Sequence, residues 1–150
     1  METTERPESS ELDVAKQKRA GLELVPSPVL KHRVFVTNYA GHDYTQAEQF
    51  GKIVFVTKGF VSFESLDRLK FMVTESLLDT TPDDYILLSG TTLICSLVVS
   101  IWLHMHKVAH ILNWDKKTSD YRLLTLTTEH LNKIIEVFRS TSAEATRNDS

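Results

Sequence analysis

Cysteine is nearly absent: Cys95 is the single one among 150 residues, so no internal disulfide can form. It lies in the most apolar part of the chain, a setting for packing rather than for an activated thiolate. A lone cysteine without a bridge fits a reducing compartment, and a cytoplasmic location is the expectation. Five glycines and four prolines are too few for a collagen-like or low-complexity chain. Basic residues show no excess either. Lys and Arg number 17 against 20 Asp and Glu, and Lys116-Lys117 is the one adjacent pair outside the N-terminal segment. That balance excludes a basic groove for nucleic acid. The opening METTERPESSELD is acidic and polar, unlike a secretory or transit peptide.

Catalytic signatures are missing as well. The chain has no GxSxG, no HExxH, no paired cysteines, no P-loop lysine pattern and no three-glycine dinucleotide fingerprint. His104 and His106 stand two apart on a helical stretch, so they diverge by about 200° and cannot share a metal. Neither a metal site nor a cofactor is expected. A membrane span is not expected either, although Tyr85 to Leu103 carries no charge and approaches the ~20 residues a span needs. Ser89-Gly90-Thr91-Thr92 breaks that run into a short strand and a helix, and Asp83-Asp84 precedes it where orienting lysines would stand.

What the chain does contain is a succession of short apolar runs and helical stripes. Residues 1–28 lack an apolar period and end in Pro26-Ser27-Pro28, which reads as a flexible N-terminal tail. A single domain is expected over 29–139. Arg33–Thr37, Lys52–Thr57, Tyr85–Ser89 and Val108–Leu112 read as strands, rich in Val, Ile, Leu and aromatics. Thr45 to Phe50 reads as a brief helix capped by Thr45 or Asp43, with Glu48 at capping-box spacing. Ser62 to Asp79 is a helix with Leu66, Leu69, Val73 and Leu77 on one stripe. Leu93 to His106 is a second, and the two runs that flank it make a strand–helix–strand crossover, which places its strands parallel. Lys116 to Asp120 is short enough to join Val108–Leu112 to Tyr121–Leu126 as an antiparallel hairpin. A last helix carries Leu131, Ile134, Ile135 and Phe138, and 140–150 reads as a disordered C-terminal tail. The order implies an α/β fold: a small Rossmann-like open sheet, mostly parallel, with an antiparallel edge hairpin and helices on both faces. Ile86, Leu88, Leu97, Ile101 and Ile111 are the expected core.

Ligands of open α/β sheets bind beyond the carboxyl ends of the strands, where chain order reverses. Four segments fall there: Asn38 to Tyr44, Lys58-Gly59, Ser89 to Thr92, and Asn113 to Lys117. The loops at the opposite end, Gly51-Lys52 and Thr80 to Asp84, read as plain turns. Ser89, Gly90, Thr91 and Thr92 open a helix, where free N–H groups and the helix dipole favour a phosphate or carboxylate. An ordinary capped turn has the same composition. In the first loop Asn38, Tyr39, Gly41 and Tyr44 are candidate ligand contacts. His42 and Asp43 are also the candidate catalytic groups, able to orient a water or act as base. Alternatively, Asp43 caps the short helix and His42 is merely exposed. Asn113 and Asp115 suit a ribose or a base edge, unless Trp114 packs on the hairpin and Asp115 starts its turn.

Two stretches carry a resemblance. The pattern G-H-D-[YF]-x-x-A-E-x-[YF]-G at Gly41 to Gly51, followed by D-Y-[IL]-L-x-[ST]-G at Asp84 to Gly90, resembles short α/β proteins encoded by bacteriophages and prophages. That likeness covers Arg33 to Leu126 and implies a viral or prophage origin and the same sheet, but no activity. Leu88 to Leu126, a glycine-opened helix, a strand and a Tyr-led strand, is similar to half of the Rossmann-like sensor domains that bind cyclic oligonucleotides in bacterial defence. Three functional readings follow: a binding module for a nucleotide or other anionic small molecule, acting as a homodimer; an interaction module directed at a host protein; and a nucleotide hydrolase built on the same site.

Overall fold

Five strands form one sheet in the computed structural model, which describes residues 32–149. The tail read at 1–28 and the expected start of the domain at Val29 lie outside the described residues. The strands are β1 (Arg33–Val36), β2 (Lys52–Phe55), β3 (Tyr85–Leu87), β4 (Val108–Asp115) and β5 (Asp120–Thr127). Their order is β2-β1-β3-β4-β5, with β1 to β4 parallel and β5 antiparallel to β4. The mostly parallel sheet and its antiparallel edge hairpin agree with the hydrophobic pattern. β1 lies inside the sheet, and Val34, Phe35 and Val36 are all buried, as a strand covered on both faces requires.

Three helices accompany the sheet: α1 (Leu66–Leu77), α2 (Thr92–His106) and α3 (Thr128–Asn148). A 3-10 segment, Thr45–Gln49, links β1 to β2. The chain moves one way from β1 to β2, then crosses back over β1 to reach β3. Right-handed crossovers that move in opposite directions lie on opposite faces. Accordingly α1 and α2 share one face, packing Leu69, Val73, Ile94, Val98 and Trp102 against Phe35 and Ile86. Among the described residues, the other face is covered by the 3-10 segment and its loop, where Tyr44 and Ala47 cover Val34, Val36, Leu87 and Leu112. The expected full helices on both faces are thus a pair on one side and a single short turn on the other.

Local chemistry explains the helix ends. Ser65 caps α1 by accepting from the Arg68 N–H at 3.3 Å, so the helix begins four residues later than its composition suggests. Thr91 caps α2, accepting from the Ile94 N–H, and Lys107 closes it in the left-handed conformation with φ 63°. α2 is apolar all round, and its buried stripe is Ile94, Val98 and Trp102, about 1.5–3 kcal/mol for each such side chain removed from water. Ile86 and Ile111 are buried as expected, whereas Leu88, Leu97 and Ile101 only flank the core, half-buried. The register of β3 and α2 on the sheet decides this, and an all-apolar helix does not disclose it. α3 runs through 140–148, the stretch read as a tail.

The amino end of the sheet is more than a plain turn. Asp84 is buried and accepts from the backbone N–H groups of Arg33 and Thr81, both at 2.9 Å. The Arg33 guanidinium then reaches Asp79 at 2.8 Å and Asp84 at 3.4 Å. This network ties the start of β1 to the turn that enters β3. Among the described residues no helix is long and apolar enough to cross a membrane.

Candidate functional site

At the carboxyl end of the sheet the chain order reverses between β1 and β3, and the loops that follow these strands separate. A cleft of about 640 Å³ opens there, lined by His42, Asp43, Tyr44, Leu87, Leu88, Ser89, Gly90, Thr92, Cys95, Trp114 and Tyr121. Its size lies within the range of small-molecule sites, about 300–1,000 Å³. Leu87, Leu88, Trp114 and Tyr121 supply apolar wall; Ser89, Thr92, His42 and Asp43 supply donors and acceptors.

The floor is held by hydrogen bonds between the loops. Thr37, the buried residue after β1, uses its hydroxyl twice on Ser89: it donates to the carbonyl and accepts from the N–H at 2.8 Å. The Tyr44 and Ser89 hydroxyls share a bond of 2.7 Å, and Tyr44 also accepts from the Ala40 N–H at 3.1 Å. Cys95 Sγ sits 3.4 Å from Thr37 Oγ1 and 3.6 Å from the Ser89 carbonyl oxygen, so the thiol is partnered. Gly90 adopts φ +93°, and a Cβ there would stand 2.7 Å from Asn38 Cβ. Both its conformation and its neighbour therefore demand glycine.

Six of the residues picked from sequence meet in this cleft: His42, Asp43, Tyr44, Ser89, Gly90 and Thr92. The others lie beside or behind it. Asn38 is buried, donates Nδ2 to the Gly59 carbonyl at 3.0 Å and accepts from Thr57 Oγ1 at 3.0 Å, a bracing role. Tyr39 bridges to Lys58 and lays its ring edge-on to Phe55 at 5.0 Å. Gly41 is an exposed turn residue with φ +83°. Thr91 spends its hydroxyl on the helix cap.

Asn113 and Asp115 depart from their expected place. The sequence pattern places them in a loop after the fourth strand, but β4 continues to Asp115, paired with β5 throughout. Alternation along a strand then decides which side chain enters the cleft. Trp114 shares the face of Leu112 and lines the cleft with its cross-strand partner Tyr121, ring to ring at 5.1 Å. Asn113 and Asp115 take the opposite face, where Asp115 pairs with Arg122 at 3.0 Å. Within the expected segment it is therefore Trp114, not its two neighbours, that enters the cleft, and Tyr121 and Cys95 join it from outside the expected segments. The aromatic pair was legible only in the Trp-x-x-x-x-x-x-Tyr spacing of a hairpin of known register.

Electrostatics separate the two candidate catalytic groups. The Asp43 carboxylate accepts from the hydroxyl and the N–H of Thr45, which holds it below the ordinary carboxylate range. That bond pins the entry to the 3-10 segment, while the expected Thr45–Glu48 capping box does not form. His42 is exposed and packs edge-on to Tyr44 at 6.3 Å. Burial, then Tyr44 and the Asp43 carboxylate, push the Tyr121 phenol upward. Among the described residues no three His, Cys, Asp or Glu side chains converge as metal ligands.

The family model of phage Pam3 gp32-like proteins matches residues 30–128. No curated protein and no solved structure matches the chain.

Proposed function

The chain belongs to the family of phage Pam3 gp32-like proteins, and from that premise we propose that its cleft binds a nucleotide or another anionic small molecule. The observation that carries this reading is the convergence of an aromatic pair and a glycine-turned helix opening on one cavity at the β1/β3 switch point. Trp114 and Tyr121 offer a face and an edge for a planar base. Ser89 and Thr92 offer hydroxyls, and the first turn of α2 offers free N–H groups, for an anionic group. The remaining walls are apolar, as orienting sites commonly are.

A hydrolase built on the same cleft has less support, because Thr45 occupies the Asp43 carboxylate and lowers its basicity. Binding of a host protein is the second reading, favoured by the surface beyond β2. There Phe60 is 95% exposed on a hollow that it lines with Phe55, Val61, Leu69 and Met72 and with the charged Lys58, Glu64 and Arg68.

The test is a thermal-shift screen with inorganic phosphate and with mono-, di- and cyclic nucleotides. A ligand at a hundred times its Kd should stabilise by about 2.7 kcal/mol. Trp114→Ala should abolish the gain from nucleotides and spare any gain from phosphate. No stabilisation by any of these compounds would overturn the reading in favour of the host-protein surface.

A further inference from the structure

The two edges of the sheet are built differently. β2 is four residues long and opens on Lys52, a short, charged edge of the kind that resists pairing. β5 is eight residues long, DYRLLTLT, with no proline and no lysine, and among the described residues it pairs on one side only. Leu123 and Leu124 leave 45% and 46% of their surface exposed, one on each face of the sheet. A long edge with unpaired N–H and C=O groups is a template for another strand. α3 follows it without a linker and buries none of its residues, although Leu131, Ile134, Ile135 and Phe138 form one stripe. A helix in water gains most of its stability by packing such a stripe.

We infer that β5 and α3 form the interface between two copies of this chain, related by a twofold axis through the β5 edge. A twofold perpendicular to the sheet pairs β5 antiparallel with itself and keeps each face continuous. It places Leu123, or one step along Leu124, opposite the same leucine of the other copy. In either register Arg122 meets a leucine, Leu124 or Leu126, so no like charges stand directly opposite. Size argues for both elements. The β5 edge is ~27 Å long and ~10 Å deep, a footprint of roughly 300 Å² against the ~800 Å² per partner of a stable complex. α3 adds ~31 Å of helix with a stripe of similar width. Together strand and helix give a projected footprint of roughly 600 Å², about twice that of the strand alone and nearer the ~800 Å² per partner of a stable complex.

The full chain should sediment with the mass of two copies at tens of micromolar. Leu123→Lys and Leu124→Lys each place like charges on the axis in one of the two registers, so the variant that matches the register should give one-copy particles with unchanged far-UV circular dichroism. Should those variants unfold, hydrogen exchange on the unaltered chain decides: amides of Asp120 to Thr127 should gain at least tenfold protection on concentration, and those of Lys52 to Phe55 should not. A one-copy mass with no concentration-dependent protection of β5 would overturn the interface and leave that edge to a strand of another protein. A dimer that survives both lysine variants would also overturn it.

Discussion

Tyr44 and Ser89 share a 2.7 Å hydrogen bond between their hydroxyls, and it joins the loop after β1 to the loop after β3 across the point where the chain reverses. Tyr44 is buried and its oxygen also serves the Ala40 N–H. Tyr44→Phe should therefore cost about 1–2 kcal/mol in urea unfolding, since the bonds to Ser89 and to the Asn38 carbonyl are lost and the Ala40 N–H is left without its acceptor. Ser89→Ala, which leaves the Tyr44–Ala40 bond in place, should cost less.

Gly90 carries a sharper expectation. Alanine there must hold φ near +93° and press its Cβ into Asn38, so Gly90→Ala should destabilise by more than about 1–2 kcal/mol. Asn38→Ala should not rescue it, because the clash is with Asn38 Cβ. Thermal unfolding of the two single variants and the double variant checks this.

Trp102 fills the space between α2 and β1, edge-on to Phe35 at 5.6 Å, and its Nε1 has no hydrogen-bond partner among the described residues. Trp102→Ala should cost about 3–5 kcal/mol. Trp102→Phe should cost less than about 2 kcal/mol, because it removes an unsatisfied donor along with the ring volume. Chemical denaturation of the pair measures the difference.

Asp84 is the buried acceptor at the amino end of the sheet. Asp84→Ala strands the Arg33 and Thr81 N–H groups and removes one partner of the Arg33 guanidinium, at about 2–4 kcal/mol. Its neighbour Asp79 supplies a pH signature. The Arg33 hydrogen bond holds the Asp79 carboxyl below its ordinary 3.8. A carboxyl lowered on folding stabilises above its unfolded value, and the contribution fades as pH falls through the folded one. Asp79→Asn should therefore lower Tm near neutrality and flatten the loss of Tm below about pH 4. Asp43 and Asp67 act with the same sign, so the acid dependence should shrink rather than vanish.

Strand identity, the parallel crossover and the antiparallel hairpin were legible because apolar runs of four to eight residues with polar breaks encode them directly. Gly90 and the Ser-Gly-Thr-Thr opening of α2 were legible for the same local reason. The loop candidates were legible as a set, since a parallel sheet delivers every post-strand segment to one edge. Three things depended on tertiary structure. β4 runs three residues longer than its apolar core because β5 pairs with it to the end, and this single extension turns Trp114 into the cleft and Asn113 and Asp115 away. α2 buries Ile94, Val98 and Trp102 rather than Leu97 and Ile101, because an all-apolar helix has no stripe until a sheet selects one. Asp84 looked like a turn residue and is instead a buried acceptor, since the N–H groups it serves arrive from Arg33, fifty-one positions away, and from Thr81. Local sequence determines which elements form; the register between elements distant in sequence determines which side chains share a site.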